Sequence, residues 1–231
     1  MARRLSVARR LSVAALLLGA SGACAPARFP APGAAAGAPA PASASASAPR
    51  DTDAAMIPPG LGSLRQDDIA IRFQVRGLQV RVLPLDESVI RVLSPDSYRT
   101  LHGLVESQRS RIAAIERRTG LGASSIWYVS FFGIEVGETR YSPMELIVTS
   151  VGRDFRPLDV IPLTPGFGEQ RLSQRESQSA LYVFDAQVDV NQPLVLQYET
   201  QRNSDWASVL ERIERERAMI RGRRRSGSQA R

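Results

Sequence analysis

The sequence predicts a mainly β, α+β domain: an antiparallel sandwich or partial barrel with one packed internal helix and a C-terminal helix. Three observations predict it. Ile69, Ile71, Phe73 and Val75 alternate with polar or small residues, and Leu78, Val80 and Val82 continue the alternation, which is the period of a half-buried strand. A stripe of helical period runs through residues 95–118. Beyond Glu145, four short apolar segments follow one another, parted by Gly, Pro, Asp and Asn.

In chain order, Gly77 lets the first two apolar runs turn back on each other as a hairpin or bent pair that ends at Pro84. A short strand is expected over residues 89–93. In SPDSYRTLHGLVESQRSRIAAIERRTG, Ser94 can cap a helix, Pro95 suits its first position, Asp96 complements its positive end, and Gly120 stops it. Tyr98, Leu101, Leu104, Val105, Ile112 and Ile115 form its apolar face, so this helix must lie on something.

The expected partner is SIWYVSFFGIEV, residues 125–136, which is apolar on both faces and therefore needs cover on both. A central strand follows, with the helix on one side and more sheet on the other. Trp127, Tyr128, Phe131 and Phe132 are read as core in preference to an aromatic-binding groove, because aromatics supply much of a small core's buried area. The segments ELIVTSVG, PLDVIPLTP, ALYVFDAQV and PLVLQYET supply the remaining strands, parted by RDFR, GFGEQRLSQRES and DVNQ. Their cadence is similar to immunoglobulin-like modules of exported bacterial proteins, without the cysteine pair of true immunoglobulin domains. The last helix is expected over residues 204–221, docked through Trp206, Val209, Leu210, Ile213 and Ile220.

The 231 residues carry a formal charge of +7, and its distribution excludes the obvious reading. Residues 1–50 contribute +6, residues 51–211 contribute −5, and residues 212–231 contribute +6. A nucleic-acid-binding domain would carry a basic face on its folded body. Here the body is mildly acidic, so no nucleic-acid partner is expected.

The chain opens with ARRLSV twice, at residues 2–7 and 8–13, which places four Arg ahead of the leading apolar run. That run covers residues 11–20, broken by one Ser; it suits the core of an export signal and is shorter than the ~20 residues a spanning helix needs. Ala20, Ser21, Gly22 and Ala23 follow, and then Cys24, the only cysteine in the chain. This order resembles the signal peptide of bacterial lipoproteins over residues 1–24, with Ser21 standing where that family usually has Leu. The resemblance implies cleavage before Cys24, diacylglycerol on its sulfur, and acylation of the new amino terminus. The alternatives are an exported protein cut after Ala23, with Cys24 a bystander, and an uncleaved anchor. Residues 24–60, rich in Ala, Pro, Ser and Gly, read as a disordered tether. Residues 61–221 are then a single β-rich domain, and residues 222–231 a basic disordered tail.

No catalytic constellation is legible. His102 is the only histidine, lies in the internal helix, and has no nucleophile-elbow sequence to serve, so it reads as a surface or helix-packing residue. One His and a committed Cys cannot assemble a zinc site of the usual type. Asp185, Asp189 and Asn191 in DAQVDVN do not have the spacing of a calcium loop and read as turn residues. Paired carboxylates such as Glu135 and Glu138 are what an enzyme acting on glycan could use for acid/base work, but acidic residues at the end of a strand are common. PGLGSLR, residues 59–65, has no strand before it and is no phosphate loop.

The expectation is an exported, lipid-anchored cell-envelope protein with a non-catalytic binding, assembly or structural role. It holds its membrane through a lipid on Cys24, takes no cofactor, and has an envelope protein as its further partner. The alternatives are a periplasmic or secreted form, an envelope enzyme working on glycan or peptide through carboxylates, and anionic-surface binding by Arg221, Arg223, Arg224 and Arg225.

Overall fold

A computed structural model describes residues 57–229; Cys24 and the leader lie outside them. The elements in order are α1 (Gln66–Ile69), β1 (Ile71–Val75), β2 (Leu78–Pro84), α2 (Glu87–Ile90), α3 (Pro95–Thr119), β3 (Ser124–Gly133), β4 (Glu138–Arg140) and β5 (Leu146–Ser150). They continue as β6 (Arg153–Phe155), β7 (Asp159–Pro162), β8 (Arg171–Ser173), β9 (Ser177–Asp185), β10 (Leu194–Tyr198), β11 (Gln201–Asn203) and α4 (Trp206–Gln229). The strands pair antiparallel in a five-stranded sheet, β1-β2-β3-β9-β7, a four-stranded sheet, β11-β10-β5-β6, and a ribbon, β4-β8. The architecture is the expected sandwich with its two helices. All three sheets are open, and none closes into a barrel.

β3 is central, as its two apolar faces require. On its inner face Trp127, Val129 and Phe131 are fully buried. Phe131 meets Tyr198 of the second sheet at 5.9 Å between ring centroids, and Trp127 meets Trp206 of α4 at 6.3 Å. The second sheet thus covers one end of that face and α4 the other. On the outer face Ile126 and Tyr128 are partly buried, beside the fully buried Leu83, Leu181 and Val183. α3 lies over this region, with Glu116 accepting from the Ser124 hydroxyl at 2.7 Å and Arg118 paired with Asp159 of β7.

Local chemistry sets the connections. Arg76 and Gly77 both take positive φ (44° and 73°) in a two-residue β1–β2 turn, the mirror-image turn that suits strand twist. Val151 and Gly152 do the same (49° and 73°), so residues 153–155, expected in a connection, form β6. The free edge of β1 is met by side-chain amides of β11: Gln201 donates to the Gln74 carbonyl at 2.7 Å and Asn203 to that of Arg72 at 3.3 Å. Those two amides occupy acceptors that an exposed edge would otherwise offer to another chain.

Four expectations are corrected. Residues 89–93 do not form a strand: the Asp86 carboxylate accepts from the Ser88 amide at 2.8 Å and starts α2, and Val89, Ile90, Val92 and Leu93 are all buried without alternation. Ser94 holds the cap position of α3, yet its hydroxyl bonds Ser97 Oγ at 3.0 Å and caps no amide. Ile57, inside the expected tether, is 3 % exposed and belongs to the core. The basic segment expected to be a disordered tail continues α4 to Gln229, because it contains no Pro and Arg is a good helix former, while each Gly costs only ~1 kcal/mol.

α4 is held by its buried side. Trp206 is fully buried and its indole N–H donates to the Val190 carbonyl at 3.0 Å. Trp206→Ala removes that donor and empties the space against Trp127. The expected loss is about 3–5 kcal/mol of unfolding free energy, read from urea denaturation, with Trp206→Phe losing less because most of the packing remains.

Candidate functional site

The ribbon β4-β8 crosses the far end of β3, where a side chain at Gly133 would meet the Ser173 carbonyl at 2.4 Å. Leu172 is buried beneath it, and beside it opens a polar recess of about 390 Å³. Arg140, Tyr141, Ser142, Glu169, Gln170 and Arg171 line this recess. Arg140 and Arg171 stand directly opposite each other in the register. Like charges so placed repel unless a carboxylate intervenes. The other cross-strand pair of this kind, Arg72 and Arg81, is bridged by Asp67 at 3.0 and 3.1 Å. On the ribbon, Arg171 leans on Glu138 at 3.3 Å and Glu169 at 3.9 Å, which leaves Arg140 without an ion pair among the described residues.

Tyr141 is the one aromatic residue that lines the recess, and it ties the recess to the core behind it. The Tyr141 ring stacks on Phe131 at 4.3 Å, and its hydroxyl donates to the Phe167 carbonyl at 2.8 Å or to the side-chain oxygen of Gln178. The Tyr198 hydroxyl accepts from the Ser142 amide at 3.1 Å. Tyr182 is fully buried and its hydroxyl has no partner among the described residues. Burial raises the hydroxyl pKa of Tyr141 and Tyr182 and pushes Tyr198 up to about 12. These phenols are therefore neutral, packed groups and poor bases.

The residues singled out in the sequence do not come together. His102 sits on α3 with Nδ1 2.8 Å from Glu87 of α2, stacked on Tyr98 at 5.2 Å, where it joins the two helices. Asp185 and Asp189 accept from the Gln187 and Asn191 amides at 2.9 Å, and Asn191 Oδ1 accepts from Arg217 at 3.1 Å. Among the described residues no three potential metal ligands gather. The Glu135 side chain lies over Gly77, whereas Glu138 is engaged by Arg171.

Residues 59–65 have a structural use. A side chain at Gly62 would collide with the Val92 carbonyl, and both the amide and hydroxyl of Ser63 donate to Glu216 Oε1, at 2.8 and 3.0 Å. Glu216 and Arg217 are each 1 % exposed. Arg217 donates to the Ser88 carbonyl at 2.6 Å and pairs with Glu214 at 2.5 Å. Neither buried charge is singled out by a motif. Both stand where the stripe Trp206, Val209, Ile213, Ile220 calls for an apolar residue, and that misplacement was the available signal.

Of the basic end, Arg221 is half-buried and Arg223 exposed, and the backbone of Arg224 and Arg225 continues the helix. No helix among the described residues is long and apolar enough to cross a membrane. Phe132 near the end of β3, and Ile134 and Val136 in the segment that follows it, are exposed apolar residues. No family model matches this chain, and neither a curated protein nor a solved structure matches it.

The raised tyrosines give a titration test. In the native state burial favours the neutral phenol, while unfolded chains ionise near the ordinary 10.0, so this stabilisation is complete below pH 10 and is lost as pH rises toward 12. In an alkaline spectrophotometric titration, phenolate absorbance from Tyr141, Tyr182 and Tyr198 is expected to appear only with the unfolding transition. Ionisation of all five tyrosines near pH 10 in a chain that keeps its native circular dichroism would contradict this burial.

Proposed function

We propose that this protein is exported and anchored to the cell envelope by lipid on Cys24, and that its body has a non-catalytic binding, assembly or structural role. One observation carries the reading: four Arg, a ten-residue apolar run and three small residues lead directly to the chain's only cysteine. That cysteine lies more than thirty residues ahead of Ile57, the first residue of the described core, across a segment rich in Ala, Pro, Ser and Gly. We read this composition as that of a spacer, which suits a body held away from its anchor.

The body's polar groups favour contact over catalysis. The only histidine is bonded to Glu87, Glu138 is tied to Arg171, and the buried tyrosines are neutral. The recess beside Arg140 and the apolar residues at the end of β3 are surfaces for contact with a partner.

Lipidation is tested in cells fed labelled palmitate. The wild-type chain is expected to take up label and to stay with membranes, whereas Cys24→Ser should take up none and accumulate as a longer precursor. An unlabelled wild-type chain, with processing and location unchanged by Cys24→Ser, would overturn the proposal.

A further inference from the structure

We infer that the basic C-terminal end of α4 docks the body on an anionic lipid surface, and the choice of lipid rests on the envelope-anchored reading above. The first described residues and this end of α4 belong to the same end of the body. The Ile57 carbonyl accepts from Arg91 at 3.5 Å, Gly60 abuts Pro95, and Ser63 is bonded to Glu216. Glu216 precedes Arg221 by little more than one helical turn. The first described residues therefore lie close to where the basic turns begin.

Ile220, 1 % exposed, is the last core residue of α4 among those whose burial is described. Beyond it the helix continues to Gln229, about 13 Å further at 1.5 Å per residue. Arg221, Arg223, Arg224 and Arg225 fall in these turns, and no acidic residue occurs after Glu216. Residues 51–211 carry −5. An anionic surface attracts the basic end and repels the rest, so the charge asymmetry orients the body with this end against the membrane. A body already tethered to the membrane meets its surface at high effective concentration, which allows individually weak contacts to act together.

The test uses the chain from Ala25 onward, so that neither an acyl chain on Cys24 nor the four Arg and apolar run of the leader contributes, and measures partition onto vesicles of equal parts phosphatidylglycerol and phosphatidylcholine. Binding is expected to be salt-sensitive and much weaker on pure phosphatidylcholine. The triple change R223Q/R224Q/R225Q should lower the partition coefficient by about a hundredfold, roughly fivefold per charge. R223K/R224K/R225K should retain binding, and circular dichroism of both variants checks that α4 persists.

Binding unaffected by the Gln changes, equal binding to neutral vesicles, or tighter binding to an RNA oligonucleotide than to anionic vesicles would each overturn the inference. Vesicle binding without palmitate labelling would overturn the anchor and leave surface docking standing. Labelling without vesicle binding would do the reverse.

Discussion

Two charges buried on one helix, Glu216 and Arg217, hold the ends of this fold together. Each is 1 % exposed, in surroundings where an unpaired charge would cost several kcal/mol. The carboxylate takes both donors of Ser63; the guanidinium reaches Ser88, Asn191 and Glu214. One turn earlier, Arg212 donates to the Asp68 carbonyl of α1. α4 is thus bonded to the N-terminal segment, to α1 and α2, and to the loop before β10, while Trp206 fixes it against β3. Residues 59–65 contribute little apolar area of their own and keep their course because Glu216 holds Ser63 and Gly62 fits against Val92.

The parts of the fold legible in the sequence were those in which periodicity and packing agree. β3 declared itself through two apolar faces, α3 through a long stripe with Pro95 and Gly120 at its ends, and the first hairpin through alternation around Gly77. Residues 89–93 were misread because four buried apolar residues in five positions look like a covered strand, while the deciding group was the Asp86 carboxylate before them. β6 and the ribbon β4-β8 are three-residue strands made by register and turn geometry, with too few residues to show a period.

Much less of the candidate site was legible. Arg140 and Arg171 lie 31 positions apart and become neighbours only when β4 and β8 pair. Glu216 and Arg217 looked like two more charges in a charged helix, and only their place on the apolar stripe set them apart. His102, Glu138 and Asn191 were noticed for chemistry, yet each is held in an ion pair or hydrogen bond that serves packing. The basic end of α4 was visible as a run of Arg, but its helical backbone and its nearness to residues 57–63 come only from the structure.

The central claim is that Glu216 makes the N-terminal segment part of the cooperative body, and native-state hydrogen exchange at the Ser63 amide tests it most directly. That amide donates to Glu216 at 2.8 Å with no helix or strand to protect it. It should exchange with the opening free energy of the Val129 amide in the central strand, because both are released only by global unfolding. Exchange of Ser63 through a much cheaper local opening, while Val129 stays protected, would show that the segment detaches on its own and would contradict the account.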